Sequence, residues 1–293
     1  MSEVDEDAFF SDEEGEEEHQ QEAEEEKAPV CVLTQETIER GLSLLCRTGN
    51  GLGHAFVKMD LKNNGLNDIA AIGSYPHLRF LDVSNNRLVD LSPLASLTQL
   101  LWLKVDNNAV ECFKRQPLAQ LTYLQWLSMA MNRLTDLDGL VGPALESLNL
   151  TGNSIKKVAG LQSSCFANLV TLELRGNQLD TTDGINLPNL QQLYLAQNVI
   201  KRLEGLEKLE RLTTLHLRDN QLDTLNGLSS NMKCLQYLNV SWSNLTKILC
   251  PLRRGLRPVR KARYFKKSWS HKICNDSKNE EVFDFLENCD CVV

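Results

Sequence analysis

Apolar residues recur along most of the chain in a pattern that ends on a fixed asparagine. The clearest copy has leucine at positions 212, 215, 217 and 222 and asparagine at position 220. A ninth copy begins at Leu235, but Ser243 stands in the position of its asparagine. The asparagine recurs at intervals of 21 to 24 residues, at Asn64, Asn86, Asn108, Asn132, Asn153, Asn177, Asn198 and Asn220. An internal period of this length indicates a stack of similar units.

The spacing L-x-x-L-x-L-x-x-N-x-L is the signature of a leucine-rich repeat. Each unit forms one short strand, a turn and a return segment, and it buries its apolar edge only against its neighbours. In the returns, apolar residues recur every three positions, as at Leu203, Leu206 and Leu209, which favours short 3₁₀ turns on the convex side. We therefore predict an α/β solenoid of about nine repeats of about 22 residues, with a parallel sheet on its concave face.

The repeated asparagine is expected to point inward with its amide hydrogen-bonded. A buried polar group without a partner costs about 1–3 kcal/mol. An amide side chain offers two N–H donors and a carbonyl acceptor to the neighbouring backbone. We therefore predict that the eight asparagines form a ladder along one edge of the core.

The ends of the chain differ from the repeats in charge. Residues 1–26 contain 14 acidic residues and no Lys or Arg, so residues 1–29 are predicted to be a disordered tail. The solenoid is assigned to residues 52–249. Residues 250–293 are predicted to be a basic and then acidic tail that is disordered because it cannot bury a core.

Residues 30–51 are predicted to be a helical cap followed by a link. Thr34 is a suitable N-cap residue, and Ile38, Leu42 and Leu45 share one face at helical spacing. The glycines at positions 49, 51 and 53 are interpreted as a flexible link into the first repeat. That repeat is expected to bury Phe56, together with the residues at positions 59 and 61.

Alternation along each strand places the residues between the inward leucines on the concave face. With strands about 4.8 Å apart, Phe80, Trp102 and Trp126 are expected to form an aromatic strip about 10 Å long. Large apolar side chains on a solvated face are favoured as interface anchors. Two alternatives stay open: the N-terminal arm covers the strip, or the rings only pack on each other. The predicted partner-binding residues are Phe80, Trp102, Lys104, Trp126, Arg175, Tyr194, His216, Arg218 and Tyr237.

The chain has no motif that indicates an enzyme. A Walker loop, an H-E-x-x-H helix and a recognisable Ser-His-Asp frame are absent from the sequence. Glu173 and His216 fall two repeats apart, about 10 Å, which is too far for direct proton transfer. A zinc set drawn from residues 271, 274, 289 and 291 is a weak match in spacing. We predict no cofactor, no metal and no small-molecule substrate.

Cysteine usage and charge bear on location and partners. Nine scattered cysteines, without a signal peptide or a long apolar span, favour a reducing intracellular compartment and no membrane association. Nine Lys or Arg residues and no acid lie in residues 251–272. This run suits acidic protein tails or nucleic acid. Nucleic acid is the less expected partner, because no nucleic-acid-binding module accompanies the run.

Residues 41–239 resemble the family of leucine-rich repeat-containing protein 23, whose members are radial-spoke components of motile cilia and sperm flagella. The resemblance is carried by residues 41–46, 49–52, 91–94, 100–104, 174–179, 184–188, 193–198 and 212–222. In the last two of these blocks, solvent-facing residues match as well as core residues. After Val240 the sequence departs from the family pattern, so a divergent C-terminus is expected.

The resemblance implies a non-enzymatic structural protein of the axonemal radial spoke, needed for ciliary and sperm flagellar motility. It implies a place in the cytoplasm and cytoskeleton, at the axoneme of cilia or flagella, with other axonemal proteins as partners. The 22-residue units also resemble the repeat subclass typified by the phosphatase-1 regulatory subunit. A phosphatase-regulatory subunit that binds its partner through the concave face is therefore the alternative.

Overall fold

An eleven-stranded sheet with its strands in sequence order forms the body of the molecule. The computed structural model describes residues 30–49, 51–229, 231–243 and 261–263. One helix, α1 (Gln35–Gly41), precedes the sheet. The strands are β1 (Leu42–Arg47), β2 (His54–Asp60), β3 (Phe80–Asp82), β4 (Trp102–Lys104), β5 (Trp126–Ser128), β6 (Ser147–Asn149), β7 (Thr171–Glu173), β8 (Gln192–Tyr194), β9 (Thr214–His216), β10 (Tyr237–Asn239) and β11 (Lys261–Arg263).

The strands from β2 to β11 pair in parallel, which confirms the predicted solenoid. Equivalent residues of successive repeats lie side by side, as Phe80, Trp102 and Trp126 do. The 3₁₀ turns predicted for the convex side are present at Ala70–Ser74, Ser92–Ser96, Pro117–Gln120 and Leu206–Lys208.

The core is a continuous column of leucines between the sheet and the convex returns. Leu215, Leu217 and Leu222 are fully buried, as are their equivalents in the repeats before them. Two phenylalanines, Phe113 and Phe166, fill the wider returns of their repeats and are also buried. Each repeat therefore covers the apolar edge of the next.

The asparagine amides cross-link neighbouring repeats. The Asn86 Oδ1 accepts from the Leu66 N–H at 3.0 Å, and its Nδ2 donates to the Leu61 carbonyl at 3.0 Å and to the Val83 carbonyl at 2.8 Å. The same set of bonds to the preceding repeat is made by Asn108, Asn132, Asn153, Asn177, Asn198 and Asn220. In the first repeat, Asn64 donates to carbonyls of its own repeat.

The ladder stops at the ninth repeat. Ser243, which replaces the asparagine there, is 2% exposed. Its hydroxyl has no hydrogen-bond partner among the described residues. A hydroxyl is too short to reach the preceding repeat as the amides do.

The predicted cap is wrong in its second half. Thr34 caps α1 through the Thr37 N–H and Ile38 is buried, but the helix ends at Gly41. Leu42 and Leu45 lie instead in β1, which pairs antiparallel with β2. The exposed edge of β2 offers a row of backbone groups, and pairing with β1 satisfies them.

The glycines of the predicted flexible link form the turn of this β1–β2 hairpin. The Thr48 N–H donates to the Gly53 carbonyl at 2.9 Å, and the Gly51 N–H donates to the Thr48 carbonyl at 2.8 Å. Gly51 has a φ of 69°, which favours glycine. The segment is therefore part of the sheet rather than a link.

Phe56 is not in the core, contrary to the prediction. The strand β2 is seven residues long and follows an alternating pattern that buries Val57 and Met59. Phe56 falls on the other face and is 42% exposed. Regular pairing with β1 therefore overrides the L-x-x-L spacing in the first repeat.

Part of the tail predicted to be disordered adds a strand to the sheet. Lys261–Arg263 form β11, in register with Tyr237–Asn239. The open edge of β10 presents unpaired backbone groups that accept such a strand. The acidic tail 1–29 and the rest of 250–293 lie outside the described residues, as do the positions 271, 274, 289 and 291 considered for zinc.

Within the described ranges, no helix is long and apolar enough to cross a membrane.

Candidate functional site: the concave face

Three-residue strands present their first and third residues to the concave side and bury the second in the core. This pattern holds in β3, β4, β6, β7, β8 and β9. The predicted concave residues therefore lie on that face. They form two aromatic groups.

The first group, the tryptophan strip, consists of Phe80, Trp102 and Trp126. The two indole rings stack with centroids 4.6 Å apart and planes 7° apart. Phe80 is in register with Trp102 on the neighbouring strand. All three side chains are half-buried. Stacked aromatic pairs contribute about 0.5–1.5 kcal/mol beyond the area that they bury. Stacking therefore holds the two indoles against each other, and each side chain stays partly exposed among the described residues.

A groove of about 480 Å³ adjoins the strip at the N-terminal end. Leu44 lines one side of this groove. Its φ of 58° interrupts the alternation of side chains along β1, so the Leu44 side chain does not face the core and is 54% exposed. Leu45 and Phe56, paired across the hairpin, add further exposed apolar surface. The lining residues are Leu44, Lys58, Met59, Asp60, Lys62, Phe80, Asp82 and Trp102.

Two lysines near the strip are paired with carboxylates of the same chain. The Lys62 Nζ lies 2.8 Å from the Asp60 Oδ2, and the Lys104 Nζ lies 3.6 Å from an oxygen of Asp106. Partial burial acts to raise the pKa of Asp60, but hydrogen bonds from the side chain and backbone of Lys62 hold that pKa below its usual value. Lys104, predicted to contact a partner, is thus partly engaged by Asp106.

The second group, the tyrosine–histidine cluster, consists of Tyr194, His216 and Tyr237 on β8, β9 and β10. The ring centroids of Tyr194 and His216 are 5.8 Å apart, and those of His216 and Tyr237 are 5.6 Å apart with planes 13° apart. The Arg175 guanidinium carbon lies 5.9 Å from the centre of the Tyr194 ring. Arg218 is exposed at the end of β9.

The structure does not bring the two groups together. Trp126 and Tyr194 are three strands apart, about 14 Å. Ser147 and Thr171, in the same row as the tryptophans, leave a stretch of small polar side chains between them. A single partner that touches both groups must span this gap.

A row of left-handed residues next to the ladder was not foreseen. Asn63, Asn85 and Asn107 have φ values of 53° to 60°, and their amides form a chain from Asn107 to Asn85 to Asn63. The signal in the sequence is the repeated Asn or Gly just before the ladder asparagine. Two bulky residues occupy this position, Met131 at 59% exposure and Trp242 at 43% exposure.

Family models and known relatives agree with the repeat architecture. A leucine-rich repeat model matches residues 77–100, and a two-copy leucine-rich repeat model matches residues 167–208. Leucine-rich repeat-containing protein 23 of mouse (Mus musculus) is 48% identical over 265 residues, which cover 89% of this chain and 76% of the mouse protein. The chain belongs to the leucine-rich repeat-containing protein 23 family.

The human (Homo sapiens) member of the leucine-rich repeat-containing protein 23 family is 53% identical over 208 residues. These residues make up 71% of this chain and 60% of the human protein, so the chain spans less than two thirds of that relative. Among solved structures, an internalin from Listeria monocytogenes superposes with a TM-score of 0.58 at 25% identity, over 73% of this chain and 62% of the internalin. This likeness supports the solenoid fold.

Proposed function

We propose that the chain is a non-enzymatic scaffold that docks a partner protein on its concave face through the tryptophan strip. The stacked and half-buried pair of Trp102 and Trp126 is the observation that carries the proposal. Aromatic residues held in a rigid, concave setting lose little conformational freedom on binding and are common interface anchors. The groove beside the strip extends this apolar surface.

The absence of a constellation for chemistry in the described residues fits a scaffold. In that part of the chain, three or more His, Cys, Asp or Glu side chains do not cluster in a metal-binding arrangement. On the tryptophan half of the concave face, Lys62 is paired with Asp60 and Lys104 with Asp106.

We further propose that the scaffold is a structural component of axonemal radial spokes in motile cilia and sperm flagella. Residues 193–198 and 212–222 support this proposal, since they resemble the family in solvent-facing as well as core positions. His216 and Tyr194 of the concave face lie inside these two blocks. The proposed location is the cytoplasm and cytoskeleton, at the axoneme, and the proposed partners are other axonemal proteins.

The test is fractionation of the tagged full chain in detergent-treated motile cilia. We expect the unaltered chain to remain with the microtubule pellet and the double variant Trp102→Ala, Trp126→Ala to move to the soluble fraction. The control is Tyr123→Ala, which removes a 57% exposed aromatic residue outside the strands. Circular dichroism establishes that each variant is folded.

Two results would overturn parts of the proposal. Release of the unaltered chain contradicts the axonemal role. Retention of the tryptophan variant at the level of the control contradicts docking through the strip. Phosphatase activity that co-purifies with a released chain would favour the phosphatase-regulatory alternative.

A further inference from the structure

The two halves of the concave face differ in how their charged side chains are paired. Over the strands and the three residues after each, β2 to β6 carry three cations and three carboxylates: Lys58, Lys62, Lys104, Asp60, Asp82 and Asp106. The same positions of β7 to β10 carry two cations and two carboxylates: Arg175, Arg218, Glu173 and Asp219. In the first half Lys62 and Lys104 each form an ion pair with a carboxylate, whereas in the second half Arg218 forms none among the described residues.

Two arginines frame the centre of this half. Arg175 and Arg218 occupy the same position in repeats that are two strands apart, about 9.6 Å. Ala196 occupies that position in the repeat between them and is 4% exposed, so no long side chain stands between the two arginines. Arg218 makes no ion pair with any residue that the structure describes. Arg175 lies 3.8 Å from an oxygen of Glu173 and its side chain stays 46% exposed.

The tyrosine–histidine cluster forms a fixed wall beside the arginines. The Asn239 Oδ1 accepts from the Ser241 N–H at 3.1 Å and from the Ser241 hydroxyl at 2.7 Å. In this orientation the Asn239 Nδ2 donates a hydrogen bond to the His216 Nε2 at 3.2 Å. Tyr237 stacks on the imidazole. A surface held in this way is ordered before a ligand arrives, which lowers the entropic cost of binding.

The geometry points to a docking site in this half for an extended acidic segment of another protein. A polyproline II segment repeats every three residues and rises about 3.1 Å per residue, so side chains three apart lie on one face about 9.3 Å apart. This distance matches the separation of Arg175 and Arg218. Arginine binds carboxylates through two parallel hydrogen bonds. Acidic residues at positions i and i+3 of the segment each meet one guanidinium, while the residues between lie over Ala196 and Tyr194.

This inference rests on the proposed scaffold function for the protein nature of the ligand, but it uses different residues. The tryptophan strip takes no part in it. Loss of binding at one site is therefore measurable while the other is intact. The second candidate occupant is the chain's own acidic segment, residues 1–29, and the experiment distinguishes it from a partner.

The experiment measures binding of the full chain to a fluorescent peptide of four Pro-Pro-Glu repeats at low ionic strength. The matched peptide of four Pro-Pro-Gln repeats removes the charge and keeps the backbone. We expect the double variant Arg175→Gln, Arg218→Gln to bind the acidic peptide about tenfold more weakly or worse. The control variant Arg87→Gln, Arg133→Gln removes two exposed arginines outside the strands and is expected to bind as the unaltered chain does.

The outcomes decide between the occupants. Equal losses in both double variants mean non-specific attraction and overturn the site, as does equal binding of the two peptides. A variant with Glu13, Glu14, Glu16, Glu17 and Glu18 changed to Gln tests the chain's own arm. Binding that occurs in this variant alone assigns the site to the arm and overturns the role of another protein. Absence of binding in every variant overturns the site altogether.

Discussion

At the scale of single residues, the ladder asparagines combine two tasks that other side chains cannot combine. Asn177 accepts from the Ile155 N–H at 3.0 Å and donates to the Leu150 carbonyl at 3.0 Å and to the Leu174 carbonyl at 3.1 Å. One amide thus satisfies backbone groups of two repeats that the core hides from water. Leucine has almost the same size but no donor or acceptor.

We predict that Asn177→Leu lowers the free energy of unfolding by about 2 kcal/mol or more, because buried backbone groups lose their partners. Urea unfolding followed by circular dichroism measures the change. Asn231→Leu, at an exposed position, is the control and is expected to leave the midpoint nearly unchanged. Equal midpoints for the two variants would show that the ladder amides do not stabilise the stack.

At the scale of elements, the N-terminal cap shows where the sequence pattern is ambiguous. Leu42 and Leu45 are at helical spacing, but a short apolar segment fits a strand as well. The segment becomes a strand because the edge of β2, the next strand of the same hairpin, needs a pairing partner. The same edge explains why Phe56 leaves the core. The inner leucine positions of β3 to β10 were predictable because they repeat.

The junction of α1 and β1 depends on Gly41. A Cβ atom at this position would lie 2.5 Å from the Asp60 carbonyl oxygen and 3.3 Å from a methyl carbon of Leu61. A side chain here therefore forces the hairpin away from the first repeat.

We predict that Gly41→Ala lowers the thermal unfolding midpoint and speeds amide exchange in β1. Gly49→Ala is the matched control, since a Cβ atom there meets nothing within 4 Å. Hydrogen exchange with mass spectrometry reports on β1, and differential scanning fluorimetry reports on the midpoint. Unchanged exchange in β1 of the Gly41 variant would refute the close approach as a constraint.

At the scale of the whole molecule, the solenoid is held by contacts between neighbouring repeats, so its ends are the places where it opens first. The N-terminal end is covered by α1 and the β1–β2 hairpin. At the other end, Ser243 does not continue the ladder. We therefore expect the two ends to differ in local stability.

Three equivalent backbone bonds make this difference measurable: Leu61 N–H to Asp82, Leu150 N–H to Glu173 and Leu217 N–H to Asn239. We predict that the Leu217 amide exchanges fastest and the Leu150 amide slowest. Ser243→Asn supplies the missing amide and is expected to slow exchange at Leu217 and Leu222. Equal exchange at the two ends would contradict the role given to Ser243.

The rows of concave-face residues could be predicted from the sequence. The outward turn of single side chains and the pairing of distant segments could not. Placement of Trp102 and Trp126 in one row follows from the repeat period alone. The outward turn of Leu44 depends on a left-handed backbone that no apolar pattern encodes. The contribution of β11 depends on a pairing between distant segments, which local composition does not reveal.

For a partner that binds both aromatic groups, the distance between the groups affects how long the complex lasts. A ligand held at one group has its free part kept within about 14 Å of the other, so the second contact forms at a high effective concentration. A partner held by two weak contacts dissociates only when both contacts are broken at the same time. Shortening the ligand so that it reaches one group converts a long-lived complex into a fleeting one, although every remaining contact is unchanged.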